Sequence, residues 1–168
     1  RERTQAPGLF KAWGCDALAE AFVPVEDREG NVKKVPPCFD SLTEGDLLTE
    51  RGIPWAYYSA TNMQNGYLWS AYDAVRHIRE DEDLWRSHVF PVDDVVEHIG
   101  DGILPPVTWI TPRFELSEHP EYSFCHGENW TTEVVNAIME SPMWQDTAIF
   151  ITWDDYGGFY DHAPPPQV

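Results

Sequence analysis

The sequence predicts an α/β fold, a mostly parallel sheet flanked by helices. Two observations carry this. From Ser41 onward, segments of helical apolar spacing alternate with short β-branched and aromatic runs, the rhythm of a parallel sheet with crossover helices. The strongest run, Thr147-Ala-Ile-Phe-Ile-Thr-Trp153, reads as a buried strand. It ends on Asp154-Asp155, followed by Tyr156 and the pair Gly157-Gly158, and the glycines free the backbone to turn. In open α/β sheets ligands collect at the carboxyl ends of the strands, so these carboxylates stand where a cation could be held. The same residues are also those of an ordinary solvated turn.

Residues 1–40 are irregular, punctuated by Gly14-Cys15-Asp16, Gly30-Asn31 and Pro36-Pro37, and read as a segment that wraps another part of a protein. Within them residues 17–22 are a short apolar piece and residues 32–35 a short edge strand. Residues 41–168 are the alternating part of one domain. Ser41-Leu-Thr-Glu44 has the form of a capping box for a helix carrying Leu42, Leu47 and Leu48. Residues 53–59 read as a strand that Pro54 can only start. Leu68, Tyr72, Val75 and Ile78 predict a helix over 68–78, and residues 79–83 a solvated charge run. A helix is expected over 92–99, a strand over 107–111, a loop over 113–129 and the best helix over 130–140, before the strand of 147–153.

Composition narrows the function. The 168 residues hold 29 acidic and 11 basic side chains, a net charge of −18, with 42% hydrophobic and 14% aromatic residues. That charge argues against nucleic-acid binding, which needs a basic footprint, and against electrostatic docking on an anionic membrane. No run is long enough to span a bilayer. The chain opens without Met and without an apolar leader, and reads as a processed product or a piece of a longer protein. Cys15, Cys38 and Cys125 have no zinc-pair spacing. A bridge between Cys15 and Cys38 and burial as free thiols are both open.

Parallel strands joined by right-handed crossovers share one carboxyl edge. The loops after Thr111 and Trp153 should therefore open on one rim, bringing Ser117, His119 and His126 toward Asp154, Asp155, Asp161 and His162. Carboxylates and imidazoles around a cation could polarise a phosphoryl or carbonyl oxygen; these ligand types do not choose a metal. Each residue has a plainer role. His119 could be a backbone-bonded loop residue, His126 solvated, and Asp161 with His162 a turn-fixing pair. His77, His88 and His98 read as surface residues, and the tryptophans as core. Asn129-Trp-Thr131 matches a glycosylation acceptor and reads better as a helix cap. Nothing beside Ser117 marks it as an activated nucleophile.

The run from Trp130 through Ser141-Pro142, Trp144 and Asp154-Asp155-Tyr-Gly-Gly-Phe-Tyr-Asp161-His162 resembles the bacterial phosphoesterase family. This family contains phospholipases C and acid phosphatases within the alkaline-phosphatase superfamily. Trp13-Gly-Cys15-Asp16, Pro37-Cys38-Phe-Asp40, Asp46-Leu-Leu, Leu104-Pro-Pro-Val-Thr-Trp-Ile-Thr-Pro112 and Ser117-Glu-His119-Pro120 resemble its other blocks in the same order. The resemblance implies an incomplete alkaline-phosphatase-like fold and metal-assisted hydrolysis of phosphoric esters, phospholipids among them, through a phospho-enzyme. It puts Asp154 and Asp155 at an acidic pair for a divalent metal. It puts His119 where the family contacts phosphate or protonates the leaving group, with His162 and Ser117 toward the substrate. Export would suit it. The family's acidic-Asn block and its Ser or Thr nucleophile have no counterpart here and are expected upstream of Arg1, so the 168 residues alone are expected to be inactive. The rival is a non-catalytic acidic module that binds a cation or a partner. A glycosidase with two carboxyl groups is a third reading, but it needs them about 5 Å or more apart, and adjacent aspartates suit a shared ion better.

Overall fold

The computed structural model describes residues 13–155 and Ala163. Its centre is β3 (Trp55–Ser59), every residue of which is buried. It pairs in parallel with β4 (Val89–Pro91) on one side and β5 (Val107–Ile110) on the other. Side chains alternate across a strand, and β3 divides its bulk accordingly. Ala56 and Tyr58 pack with Val92, Val95, Ile99, Val134 and Ile138 on one face. Trp55 and Tyr57 pack with Tyr72 and Ile78 on the other. Helices α4 (Val95–Gly100) and α5 (Phe124–Glu140) supply the first face. On the second lie α1 (Glu44–Glu50), α2 (Arg76–Arg79) and α3 (Glu82–His88). The α/β architecture with a parallel sheet is as the sequence predicts.

Near the amino end, β1 (Val23–Glu26) and β2 (Val32–Val35) form an antiparallel hairpin apart from the main sheet. Its turn is closed by Asp27 Oδ1, which accepts from the Glu29 and Asn31 amides at 3.0 and 2.9 Å. A disulfide joins Cys15 to Cys38, settling the pairing; Cys125 is free and exposed. Beyond the disulfide, the Phe39 amide donates to Ala74 O and its carbonyl accepts from the Arg76 amide, both at 2.7 Å. The segment thus lies along α2.

Several expectations need correction. The capping box belongs to Thr43 and Asp46, two residues on. Thr43 Oγ1 accepts from the Asp46 amide, and Asp46 Oδ2 accepts from the Thr43 amide at 2.6 Å. The helix over 68–78 is absent. In its place are 3-10 turns at Tyr67–Trp69 and Tyr72–Ala74, then α2. The bonds to Phe39 take the Ala74 carbonyl and the Arg76 amide out of the helical ladder, and Val75 is extended between them. The charge run is not simply solvated. Asp81 Oδ1 caps α3, accepting from the Asp83 and Leu84 amides at 3.1 and 2.9 Å, and Arg79 turns inward. Helix α5 begins at Phe124, so His126 and Asn129 lie within it and Asn129 is not its cap. That first turn has no apolar stripe to announce it. Gly127 packs it against the loop at 116–118 instead.

The largest correction concerns residues 147–153, which form no strand and are mostly exposed, with Phe150 at 92% and Trp153 at 62%. A β-branched and aromatic run fits a pleated, half-buried surface. Among the described residues no strand pairs with it. The histidines differ as well. His88 Nδ1 lies 2.8 Å from Trp55 O with its ring stacked on the indole, and His98 Nδ1 lies 2.8 Å from Tyr58 Oη. His77 bridges Asp40 and Asp46 at 2.8 and 2.9 Å. Both partners are acceptor-only carboxylates, so both ring nitrogens donate, and the Asp40 bond, followed by Asp46, lifts the imidazole pKa against the opposing effect of burial.

Candidate functional site

The carboxyl ends of β3 and β5 define the rim. The Thr111 amide donates to Tyr58 O at 2.8 Å, and Thr111 Oγ1 to Tyr57 Oη at 3.2 Å. The loop after β5 is locked to the loop after β3 by the Phe114 amide, which donates to Asn65 O at 3.2 Å. Gly66, at φ 95°, lets these backbones meet, since a Cβ there would stand 2.7 Å from Phe114 N. Phe114 is buried and begins a 3-10 turn, Phe114–Leu116. Ser117 follows. Its Oγ donates to Phe114 O at 2.8 Å and accepts from the His119 amide at 3.3 Å. This hydroxyl shapes the loop. His119 is exposed at the rim, its ring 4.7 Å from that of Phe114 and 6.3 Å from that of Trp69.

The acidic pair comes to the same loop. Trp153 Nε1 donates to Glu118 Oε2 at 2.9 Å, so the residues preceding Asp154 and His119 are bonded to each other. Asp154 and Asp155 are exposed. Asp161, His162 and the Gly157-Gly158 turn lie outside the described residues. His126 is exposed on α5.

The fit of this rim to a divalent metal is partial. Two neighbouring carboxylates are hard oxygen donors of the right type, but among the described residues no group of three or more His, Cys, Asp or Glu could hold an ion.

A second polar group on the rim escapes sequence reasoning, because its members are spread over 63 residues. At the carboxyl ends of β3 and β4, a cavity of about 180 Å³ is lined by Asp16, Ser59, Thr61, Tyr67, Asp73 and Arg79, among others. Tyr67 Oη lies 2.8 Å from Asp73 Oδ1 and 3.0 Å from Asp16 Oδ2. Arg79 Nη2 donates to Asp16 Oδ2 at 2.8 Å, and its guanidinium lies 4.6 Å from the centre of the Trp85 ring. Arg79 Nε, 3.5 Å from Asp73, is buried without a hydrogen bond.

Asp73 is only 3% exposed. Burial drives its carboxyl up to about 6, against the Ser70, Tyr67 and Arg79 contacts that favour the anion. A carboxyl raised in the folded state contributes stability in acid, below its unfolded value, and that contribution is lost as pH rises through about 6. Asp73→Asn keeps an acceptor for Tyr67 and cannot ionise. It should exceed the parent in stability by roughly 1–3 kcal/mol above neutral pH and show no gain in strong acid. Denaturant unfolding at both ends of that range checks this, and a gain equal at both would refute it.

The phosphoesterase family model matches residues 24–168. The chain belongs to the phosphoesterase family. The match takes in both the His119 loop and the acidic pair. Among relatives, the hemolytic phospholipase C of Pseudomonas aeruginosa is 28% identical over 153 residues, 76% of this chain and 21% of that protein. Non-specific phospholipase C1 of Arabidopsis thaliana is 41% identical over 144 residues, 81% of this chain and 26% of that protein. Phospholipase C B of Mycobacterium tuberculosis is 29% identical over 129 residues, 71% of this chain and 25% of that protein. The chain therefore spans about a fifth to a quarter of the length of these relatives.

Proposed function

We propose that this chain is part of the catalytic domain of a phosphoric ester hydrolase of the phospholipase C or phosphatase type. The observation that carries the reading is the phosphoesterase match across residues 24–168, which takes in His119 and Asp154-Asp155 together. The relatives named as phospholipases C favour a phospholipid as the ester. His119, exposed at the carboxyl edge of the sheet, would hydrogen-bond a phosphoryl oxygen or give a proton to the leaving alkoxide. Asp154 and Asp155 would contribute two carboxylates to a divalent cation whose remaining ligands lie outside the described residues. When bound, that cation would offset charge on the phosphoryl oxygens. Ser117 would hold the His119 loop in place; its hydroxyl is committed to Phe114 O and is not assigned as the nucleophile. His162 would act toward the substrate from the same motif.

The Cys15–Cys38 disulfide supports export to an oxidising compartment, where such bonds persist. Among the described residues no helix is long and apolar enough to cross a membrane.

The test is hydrolysis by a protein of the relatives' length that carries this chain, given a soluble short-chain phospholipid and an aryl phosphate monoester in parallel. Release of a phosphorylated headgroup with diacylglycerol is the expected result. Cleavage of the monoester alone would make it a phosphatase. Cation binding without turnover of either ester would overturn the proposal in favour of a non-catalytic acidic module.

A further inference from the structure

We infer that Glu118 is a positioning residue that holds the acidic pair Asp154-Asp155 beside His119. The inference rests on the site reading given above and goes further, because neither the motif nor the metal chemistry assigns Glu118 a task.

Three observations carry it. Glu118 is the only non-glycine residue with positive φ among the described residues, at 63°. A side chain in this region is strained, and such conformations persist only where the surroundings enforce them. The surroundings here do so from both sides. Ser117 Oγ ties Phe114 O to the His119 amide, closing the loop around Glu118. From below, α5 presses Gly127 against it. A Cβ at Gly127 would collide with Glu118 Cγ and stand 3.1 Å from both Glu118 N and Leu116 O. Any residue larger than glycine on that face of α5 would displace the loop. The third observation is what the strained conformation delivers: Glu118 Oε2 accepts the Trp153 indole N–H at 2.9 Å.

Trp153 is otherwise a poor anchor for its segment. Its side chain is largely exposed, as is Phe150, and no described strand pairs with residues 147–153. A hydrogen bond to an ionised acceptor is stronger than a neutral one and directional. It therefore fixes where the chain stands one residue before Asp154, from a residue one before His119. Displacements of about 1 Å in such placements are enough to cost on the order of a hundredfold in rate, so the strain at Glu118 has a function to serve.

The experiment compares Glu118→Ala, Glu118→Gln and Trp153→Phe in the protein labelled with fluorotryptophan, using fluorine NMR and ester hydrolysis. Trp153→Phe identifies the Trp153 resonance by its disappearance. In Glu118→Ala that resonance should shift and narrow, because the indole N–H loses its carboxylate acceptor and the ring its fixed position. The kcat should fall by about 10- to 100-fold, with KM and the thermal midpoint little changed. Glu118→Gln keeps an oxygen acceptor and should restore both the resonance and most of kcat. An unmoved Trp153 resonance in Glu118→Ala overturns the inference. So does a Glu118→Gln variant that fails as badly as alanine with a lowered thermal midpoint, because the residue then serves only the loop's stability. A parent protein that hydrolyses no phosphoric ester overturns the proposed function instead, and the Trp153 resonance still decides whether Glu118 places the acidic pair.

Discussion

In a protein of the relatives' length, replacing Asp154 and Asp155 together by asparagine is expected to lower phosphoric ester hydrolysis about a thousandfold or more, the size of loss that follows removal of charged groups from a catalytic site. A divalent cation held by the proposed site should be lost in the same step. Asparagine retains an oxygen of similar size but no charge, and a hard cation is held chiefly by charged oxygen donors. The structure makes this a clean experiment. Both residues are exposed and beyond the last described helical turn, Pro142–Asp146, and exposed substitutions of this kind usually change stability by no more than about 0.5 kcal/mol. An unchanged thermal midpoint would show that a fall in activity reports chemistry and not unfolding. Metal content after dialysis and kcat/KM, measured on the same preparation, check the pair of effects. Full activity in the double variant would remove these residues from the site.

Reduction of the Cys15–Cys38 disulfide should have the largest effect on stability. The two cysteines are 23 residues apart, and closing a loop of that size removes unfolded-state entropy equivalent to about 3.5 kcal/mol at room temperature. For a domain of this size that corresponds to a fall in thermal midpoint of roughly 7–14 °C. Local consequences should accompany it. Asp16, next to Cys15, makes the 2.8 Å bond to Arg79. On the other side, Asp40 shortly after Cys38 meets His77, and the Phe39 backbone brackets Val75. Both arms of the bridge therefore grip α2. Scanning calorimetry with and without reductant, repeated on a Cys15→Ser, Cys38→Ser double variant, checks the magnitude. A midpoint that stays put in both would show that the surrounding contacts hold the segment without the bond. Faster proteolysis near α2 after reduction would accompany the expected result, because Asp16, beside the bridge, is bonded to Arg79 of α2.

The elements legible in the sequence are those whose signal is local. The strand Trp55–Ser59 and the strand Val107–Ile110 lie close to the expected runs, because each is a short apolar stretch bounded by proline. Helix α4 and the apolar half of α5 follow from Val95, Ile99, Val134 and Ile138, which reach one core. The blocks containing His119 and Asp154-Asp155 were legible for the same reason, since each is a contiguous string of residues. The parallel sheet followed from the order of these elements and the handedness of their connections.

Other features depended on partners far away in the chain. Residues 147–153 have the composition of a strand, but a strand also needs a neighbour for its backbone groups, and the described residues supply none. Residues 68–78 have helical spacing, yet Phe39 takes their backbone bonds. Arg79 belongs to a charged run by sequence and to Asp16 and Asp73 in space. Sequence alone therefore determined the residue types at the rim, the family they resemble and the main strands and helices. Tertiary structure decided which cysteines pair, that Glu118 is held at positive φ by Gly127, and that its carboxylate meets Trp153. The physical reason is that propensity and periodicity act within a few residues of chain, whereas close approach, burial of charge and backbone pairing are settled by whichever distant residue the fold brings alongside.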